Sequence, residues 1–152
     1  MNKVWDPRCL DVRAFARVGA SAAGTTAMAD MPRLGVEQND PSAPVDAVTW
    51  TLTGVIKDLR GGAHQTWMRV QAQTTLRLMC QRCLEPMTQP LVVDREFRFV
   101  STEQAAEAED DQAEEDLLVA SNAFDALTLV EDELILSLPL VPRHPDCQAP
   151  SA

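Results

Sequence analysis

The stretch QTWMRVQAQTTLRLMC, residues 65–80, alternates apolar and polar side chains over most of its length. A period of two is typical of a β-strand that has one buried face. We therefore predict one long strand here, with its even-numbered side chains directed into a core. Those positions hold Met68, Val70, Ala72, Thr74, Leu76 and Leu78.

Two neighbouring segments predict partners for this strand. VTWTLTGVIK, residues 48–57, is rich in β-branched residues, and Gly61-Gly62 then provides a hairpin turn. PLVVDREFRFV, residues 90–100, alternates in the same way, except that Arg95 falls on its apolar face. The three segments predict a meander of three or more antiparallel strands, with one face that needs cover.

Helices are predicted to cover that face. In FDALTLVEDELILSLPLVP, residues 124–142, leucine and valine recur at helical spacing, while residues 131–133 are acidic and lie away from that stripe. Asp125 is a candidate N-cap and Pro139 a candidate stop. A shorter helical pattern precedes Gly19 and contains Leu10, Ala14, Phe15 and Val18.

The resulting fold class is α+β, with helices packed on one face of an antiparallel sheet. We expect a single domain over residues 1–152. Its parts are an N-terminal helix and irregular segment (1–47), the antiparallel strands with the C-x-x-C turn (48–100), an acidic loop (101–116), and a helix and tail that returns to the C-x-x-C pair (117–147). Within the first part, residues 20–34 form an irregular segment or an edge strand.

Charge is distributed unevenly along the chain. The run STEQAAEAEDDQAEED, residues 101–116, contains eight acids and no base, so removing it changes the formal net charge from −10 to −2. Seven bases face four acids between Trp50 and Val100. Blocks of like charge are usually solvated and disordered, and we expect that of this run. Its alternative interpretation is a contact for a basic partner.

Apolar runs are too short for a membrane span, and the N-terminus MNKVWDPRCL has no apolar core of a secretory signal. We expect a cytoplasmic protein without a membrane partner. Thiols stay reduced in that compartment, which disfavours a disulfide framework for the four cysteines.

Cys80 and Cys83 form a C-x-x-C pair directly after the long strand. A redox pair of this kind opens a helix, whereas here Leu84-Glu85-Pro86 leads straight toward the next strand. His144 and Cys147 supply two further candidate ligands. Together with Cys80 and Cys83 they form a Cys₃His set, which would suit a structural Zn²⁺. The rival interpretation is a set of reduced, partly buried thiols.

The remaining thiol and imidazole have simpler interpretations. Cys9 fits a small buried residue on the first helix, and His64 beside the glycine turn fits the surface. The chain contains no G-x-S-x-G, no H-x-E, no glycine-rich phosphate loop and no tyrosine. Residues 131–133 point in different directions on a helix and are poor joint ligands for Mg²⁺. We therefore expect no enzyme and no small-molecule substrate.

A family resemblance rests on several of these stretches together. MCQRCLEPM, the following FRFV strand, an acidic interval and LVEDELILSLPLVPRHPDC resemble the bacterial YceD family of large ribosomal RNA subunit accumulation proteins. WDPRCL, FARVGA and ADMPRL are similar to its N-terminal part. The resemblance implies a role in the synthesis, processing or stability of large-subunit (23S) ribosomal RNA, and it implies no catalytic residue.

Two binding hypotheses follow for such a factor. In the first, the acidic run engages a basic ribosomal protein or a precursor particle of the large subunit, which the negative net charge favours. In the second, the polar sheet face binds ribosomal RNA directly, because cations beside an aromatic ring suit unpaired RNA. The candidate residues for this face are Trp67, Arg69, Arg77 and Arg98.

Overall fold

The structure is a computed structural model that describes residues 4–38, 45–102, 116–145 and 147. Five strands and three α-helices follow one another, with a 3₁₀ turn (Met28–Asp30) before the second helix. The helices are α1 (Val12–Arg17), α2 (Pro32–Gly35) and α3 (Ala126–Leu136). The strands are β1 (Ser21–Thr26), β2 (Val48–Asp58), β3 (His64–Met79), β4 (Pro86–Val100) and β5 (Asp116–Val119).

The five strands form one sheet in the order β1-β2-β3-β4-β5. The predicted antiparallel meander is confirmed for β2, β3 and β4, and β1 is the edge strand that residues 20–34 allowed. The prediction of a purely antiparallel sheet is wrong, because β5 pairs parallel to β4 and places Phe97 opposite Asp116. Alternation reveals which face of a strand is buried and carries no information on the direction of its partner.

β3 buries the side chains that its alternation predicts. Every even position from Met68 to Leu78 is at most 8% exposed, and the odd positions between them are half-buried or exposed. The helices cover this face, with α1 against β2 and β3 and α3 against β3 and β4. The α+β architecture is therefore confirmed, and its core lies between the sheet and the helices.

α1 lies unusually close to β2 at Gly54. A Cβ atom built on this glycine would lie 2.7 Å from the Cα of Ala16 and 2.8 Å from the carbonyl oxygen of Phe15. The backbones of the helix and the strand are therefore in direct contact. Only a residue without a side chain permits this packing distance.

α3 begins as predicted, since the Asp125 carboxylate accepts a hydrogen bond from the backbone N–H of Thr128 at 3.0 Å. It ends at Leu136, before Pro139. The prediction that residues 131–133 lie away from the core is wrong for two of them, because Glu131 and Glu133 are 4% and 6% exposed.

Two arginines explain how these acids can be buried. Arg33 donates to Glu131 through its side chain at 3.0 and 3.2 Å, and its backbone N–H also binds that carboxylate at 2.9 Å. Arg95, the exception on the apolar face of β4, donates to both oxygens of Glu133 at 2.8 and 3.0 Å and pairs with Asp116. Buried carboxylates are tolerated when such partners satisfy them.

The expectation for Cys9 at the N-terminus is wrong. Cys9 is exposed and precedes α1, so it is not a buried residue of that helix. Of the predicted helical pattern, Leu10 and Phe15 are buried and Val18 is 68% exposed, and the helix itself covers Val12–Arg17. The predicted acidic loop falls mostly on residues 103–115, which lie outside the described residues. No helix in the described ranges is long and apolar enough to cross a membrane.

Candidate metal centre

The C-x-x-C pair lies in the tight turn that joins β3 to β4. The backbone N–H of Cys80 donates to the carbonyl of Glu85, and the N–H of Leu84 donates to the carbonyl of Cys80, both at 2.9 Å. Leu84 takes the left-handed conformation with φ +64°, a position where glycine is the more common residue. β4 then begins at Pro86, so no helix follows the cysteines.

The C-terminal tail returns to this turn. The backbone N–H of Gln81 donates to the carbonyl of Pro142 at 2.8 Å, which brings the tail alongside the turn. The backbone N–H of His144 then donates to the sulfur of Cys80 at 3.4 Å. These two bonds join residues that are about sixty positions apart in the sequence.

Four ligand atoms converge where turn and tail meet. The sulfurs of Cys80 and Cys147 lie 3.3 Å apart, and the sulfur of Cys83 lies 3.3 Å from Nδ1 of His144. All four ligand atoms lie within 4.8 Å of one another, so the group could hold a metal ion. Tetrahedral thiolates around Zn²⁺ have Zn–S bonds of about 2.3 Å and hence sulfurs about 3.8 Å apart, which these separations approach.

His144 is held in an orientation that suits ligation. Its Nε2 atom lies 3.2 Å from the carbonyl oxygen of Pro86, to which a protonated Nε2 donates a hydrogen bond. That proton assignment leaves the lone pair of Nδ1 directed at the sulfur cluster. A carbonyl partner on the second ring nitrogen is the usual support of a metal-bound imidazole.

The surroundings of Cys80 favour its thiolate form. Burial opposes ionisation of this thiol, but the backbone N–H groups of Cys83, His144 and Arg82 act on its sulfur and lower its pKa to about 5. Burial and the neighbouring sulfurs of Cys80 and Cys83 raise the pKa of Cys147. The Cys80 thiolate thus opposes ionisation of the neighbouring Cys147 thiol, and a cation bound between them would favour the thiolate form of both.

The predicted RNA-binding residues are only partly brought together. Trp67 lies opposite Arg98 on the neighbouring strand, and Arg69 is two positions further along β3. Arg77 lies ten residues from Trp67 on the same strand, a separation of about 33 Å. Three of the four therefore share one end of the sheet, and Arg77 stands at the other.

Two acids of β4 pair with the cations of this face. Arg69 binds both oxygens of Asp94 at 2.7 and 2.9 Å, and this hydrogen bonding lowers the pKa of Asp94. Lys57 bonds to Glu96 at 2.7 Å and lies 3.7 Å over the ring of Trp67. These partners follow from strand register, which no local pattern reveals.

Comparison with known proteins assigns the chain to a family. The family model described as large ribosomal RNA subunit accumulation protein YceD matches residues 68–152, from within β3 to the C-terminus. A Haemophilus influenzae protein with the same description is 41% identical over 80 residues. That alignment covers 51% of this chain and 44% of the relative, so the chain matches less than half of the relative's length. No solved structure matches. Since the family model spans more than half of the sequence, the chain belongs to the YceD family.

Proposed function

We propose that this chain is a non-enzymatic cytoplasmic factor that supports the accumulation of large-subunit (23S) ribosomal RNA. The supporting observation is the family match, which includes β4, α3 and all four residues of the metal cluster. The relative from Haemophilus influenzae carries the same description. The factor would act by binding a ribosomal protein or a precursor particle of the large subunit.

The proposal assigns a structural Zn²⁺ to Cys80, Cys83, His144 and Cys147. Three thiolates and one imidazole match the preference of Zn²⁺ for soft, tetrahedral ligand sets. Such a set leaves no coordination position for a reactive water, and the ion would therefore stabilise structure. By tying the tail to the β3–β4 turn, it would make residues 1–152 one folding unit.

Loss of the protein is the direct test of this function. Disrupting the gene in its own host should lower the amount of large-subunit ribosomal RNA relative to small-subunit ribosomal RNA, measured on total RNA. A plasmid copy of the wild-type gene should restore the ratio. An unchanged ratio in the disrupted strain, under growth conditions in which the protein is normally made, would contradict the proposed function.

The acidic run supplies the proposed contact with a basic ribosomal protein. Replacing the seven acids of residues 103–115 by their amides should reduce co-sedimentation with large-subunit precursors at low salt, because attraction to a basic surface falls with charge. Asp116 is kept because it pairs with Arg95.

A second variant separates charge from the order of residues. Shuffling residues 103–115 preserves every acid and should preserve co-sedimentation. The difference between the neutral variant and the wild type should shrink as salt is added. If the neutral variant co-sediments as well as the wild type at low salt, the acidic run is not the contact.

A further inference from the structure

Two arginines of α1 form a cationic surface on the helix side of the sheet. Arg13 and Arg17 are four residues apart, so they project from the same side of the helix, and both are exposed. Together with Ile56, His64 and Thr66 they line an open cleft of about 380 Å³ beside the β2–β3 hairpin.

The charges of these two arginines are not compensated within the described part of the chain. There, neither guanidinium has an ion-pair or hydrogen-bond partner. Five other cations, Arg8, Arg33, Lys57, Arg69 and Arg95, each bind a carboxylate. Among the described residues, the side chains of Arg60, Arg77, Arg82 and Arg143 also have no ion pair, but only Arg13 and Arg17 line this cleft together.

Two acids that neighbour the cleft residues in the chain or through a contact, Asp11 and Asp58, are already bound. Asp11 caps α1 by accepting the backbone N–H of Ala14 at 3.1 Å. Asp58 lies 2.5 Å from Nδ1 of His64 at the edge of the cleft. The two guanidinium groups therefore remain available to an external anion.

The chemistry of the cleft selects the kind of anion. Ile56 is the one aliphatic residue among the five that line the cleft, and no Trp, Tyr or Phe, the usual anchors of a protein interface, lines it. Guanidinium groups match the geometry of phosphate oxygens and bind them through paired hydrogen bonds. Two such groups on adjacent helical turns suit neighbouring phosphates of one strand. We propose that Arg13 and Arg17, in the cleft beside His64, bind phosphate groups of ribosomal RNA.

This proposal rests on the proposed function. The one acid of the acidic run that the structure describes, Asp116, pairs with Arg95. Asp116, the last acid of the acidic run, begins β5, which lies three strand spacings from β2. His64 and Thr66 of the cleft are on β3, two strand spacings from β5, which corresponds to about 10 Å. Because the Debye length is about 8 Å at physiological salt, screening weakens the effect of Asp116 at the cleft.

The polar sheet face is less suited to the same ligand. Arg69 would have to give up two hydrogen bonds to Asp94 before it could bind a phosphate, and Lys57 would have to leave Glu96. Arg13 and Arg17 have no such competitor among the described residues. The two surfaces can therefore be compared directly by removing two arginines from each.

The experiment measures binding of full-length protein to a fluorescent single-stranded RNA of about sixteen nucleotides across a salt series. R13A/R17A is compared with R69A/R77A, which removes the same formal charge. Loss of two phosphate contacts should make the slope of log K against log salt shallower by about 1.4 and weaken binding about 25-fold at 0.1 M salt. R69A/R77A should leave the slope unchanged, and R13K/R17K should retain most of it.

Other outcomes overturn the proposal. A shallower slope for R69A/R77A alone would assign RNA binding to the sheet face, and equal losses in both variants would indicate only a general charge effect. The proposal would also be refuted if the wild-type protein did not bind the RNA. It would likewise be refuted if polyglutamate displaced the fluorescent RNA as well as unlabelled RNA does. If R13A/R17A melts at a lower temperature than the wild type, the salt slopes of R13K/R17K and R13Q/R17Q replace it as the test: the first should keep most of the slope and the second should lose it. If the RNA-binding proposal alone fails, gene disruption should still lower the ratio of large-subunit to small-subunit ribosomal RNA, so the two failures are distinguishable.

Discussion

Zinc should be present at one ion per chain in protein purified without chelator, and it should be absent from the Cys80→Ser, Cys83→Ser variant. The reason is geometric, because these two thiols supply half of a ligand set whose atoms lie within 4.8 Å of one another. Binding that favours the folded state adds about 4 kcal/mol when free zinc is about 1,000 times its Kd. Elemental analysis and denaturant unfolding, each with and without chelator, measure both effects.

The chelator separates the contribution of the metal from that of packing. Cys80 is fully buried, so a serine there also introduces an unfavourable hydroxyl group. The effect of the metal is therefore read from chelation. The wild type should lose several kcal/mol of unfolding free energy when chelator is added, while the variant, which holds no zinc, should show no further loss. Cys9→Ser is the matched control, because Cys9 is exposed and outside the cluster. A wild type without zinc, or an unchanged stability after chelation, would contradict the structural role.

Gly54→Ala should destabilise the protein by about 2–4 kcal/mol, the upper range for overpacking a core. The new Cβ would lie 2.7 Å from a backbone atom of α1, and it would also meet the carbonyl of Phe15 at 2.8 Å. Neither neighbour is the end of a flexible side chain, so the helix itself has to move off the sheet. A chain of this length should melt about 6–12 °C lower.

Gly35→Ala is the control for this substitution. At Gly35 the nearest atoms to a new Cβ belong to Met28 and lie at 3.5 Å, which is ordinary van der Waals contact. Because alanine also restricts the unfolded chain, we expect the unfolding free energy to stay the same or rise by up to about 1 kcal/mol. Equal stability of the Gly54→Ala protein and the wild type would show that α1 does not pack against β2 as described.

The close contact between α1 and β2 at Gly54 could not be predicted from the sequence, although the strand around this glycine could. VTWTLTGVIK predicts a strand by composition, and a glycine inside it signals either a bulge or a close approach of backbone. Only the position of α1 decides between these two. The same holds for β5, since the four residues Asp116–Val119 are too few for a periodic signal.

The burial of charged side chains is a second feature that the sequence pattern did not predict. Glu131 and Glu133 look like part of a solvated helix face, and Arg95 looks like an exception on an apolar strand face. In the fold, Arg95 reaches Glu133 from the neighbouring layer, and Arg33 from α2 reaches Glu131. A carboxylate becomes stable in a core only through such partners, and those partners are distant in the chain.

By itself, the sequence determined the strands β2, β3 and β4, the covered face of the sheet, the start of α3 and the four ligand residues of the cluster. These features depend on local periodicity, capping and side-chain chemistry, which neighbouring residues encode. The tertiary structure alone decided the direction of β5 and the burial of the two glutamates, and it brings the four predicted ligand atoms within 4.8 Å of one another. Each of these depends on contacts between segments far apart in the chain, where no local pattern specifies the partner.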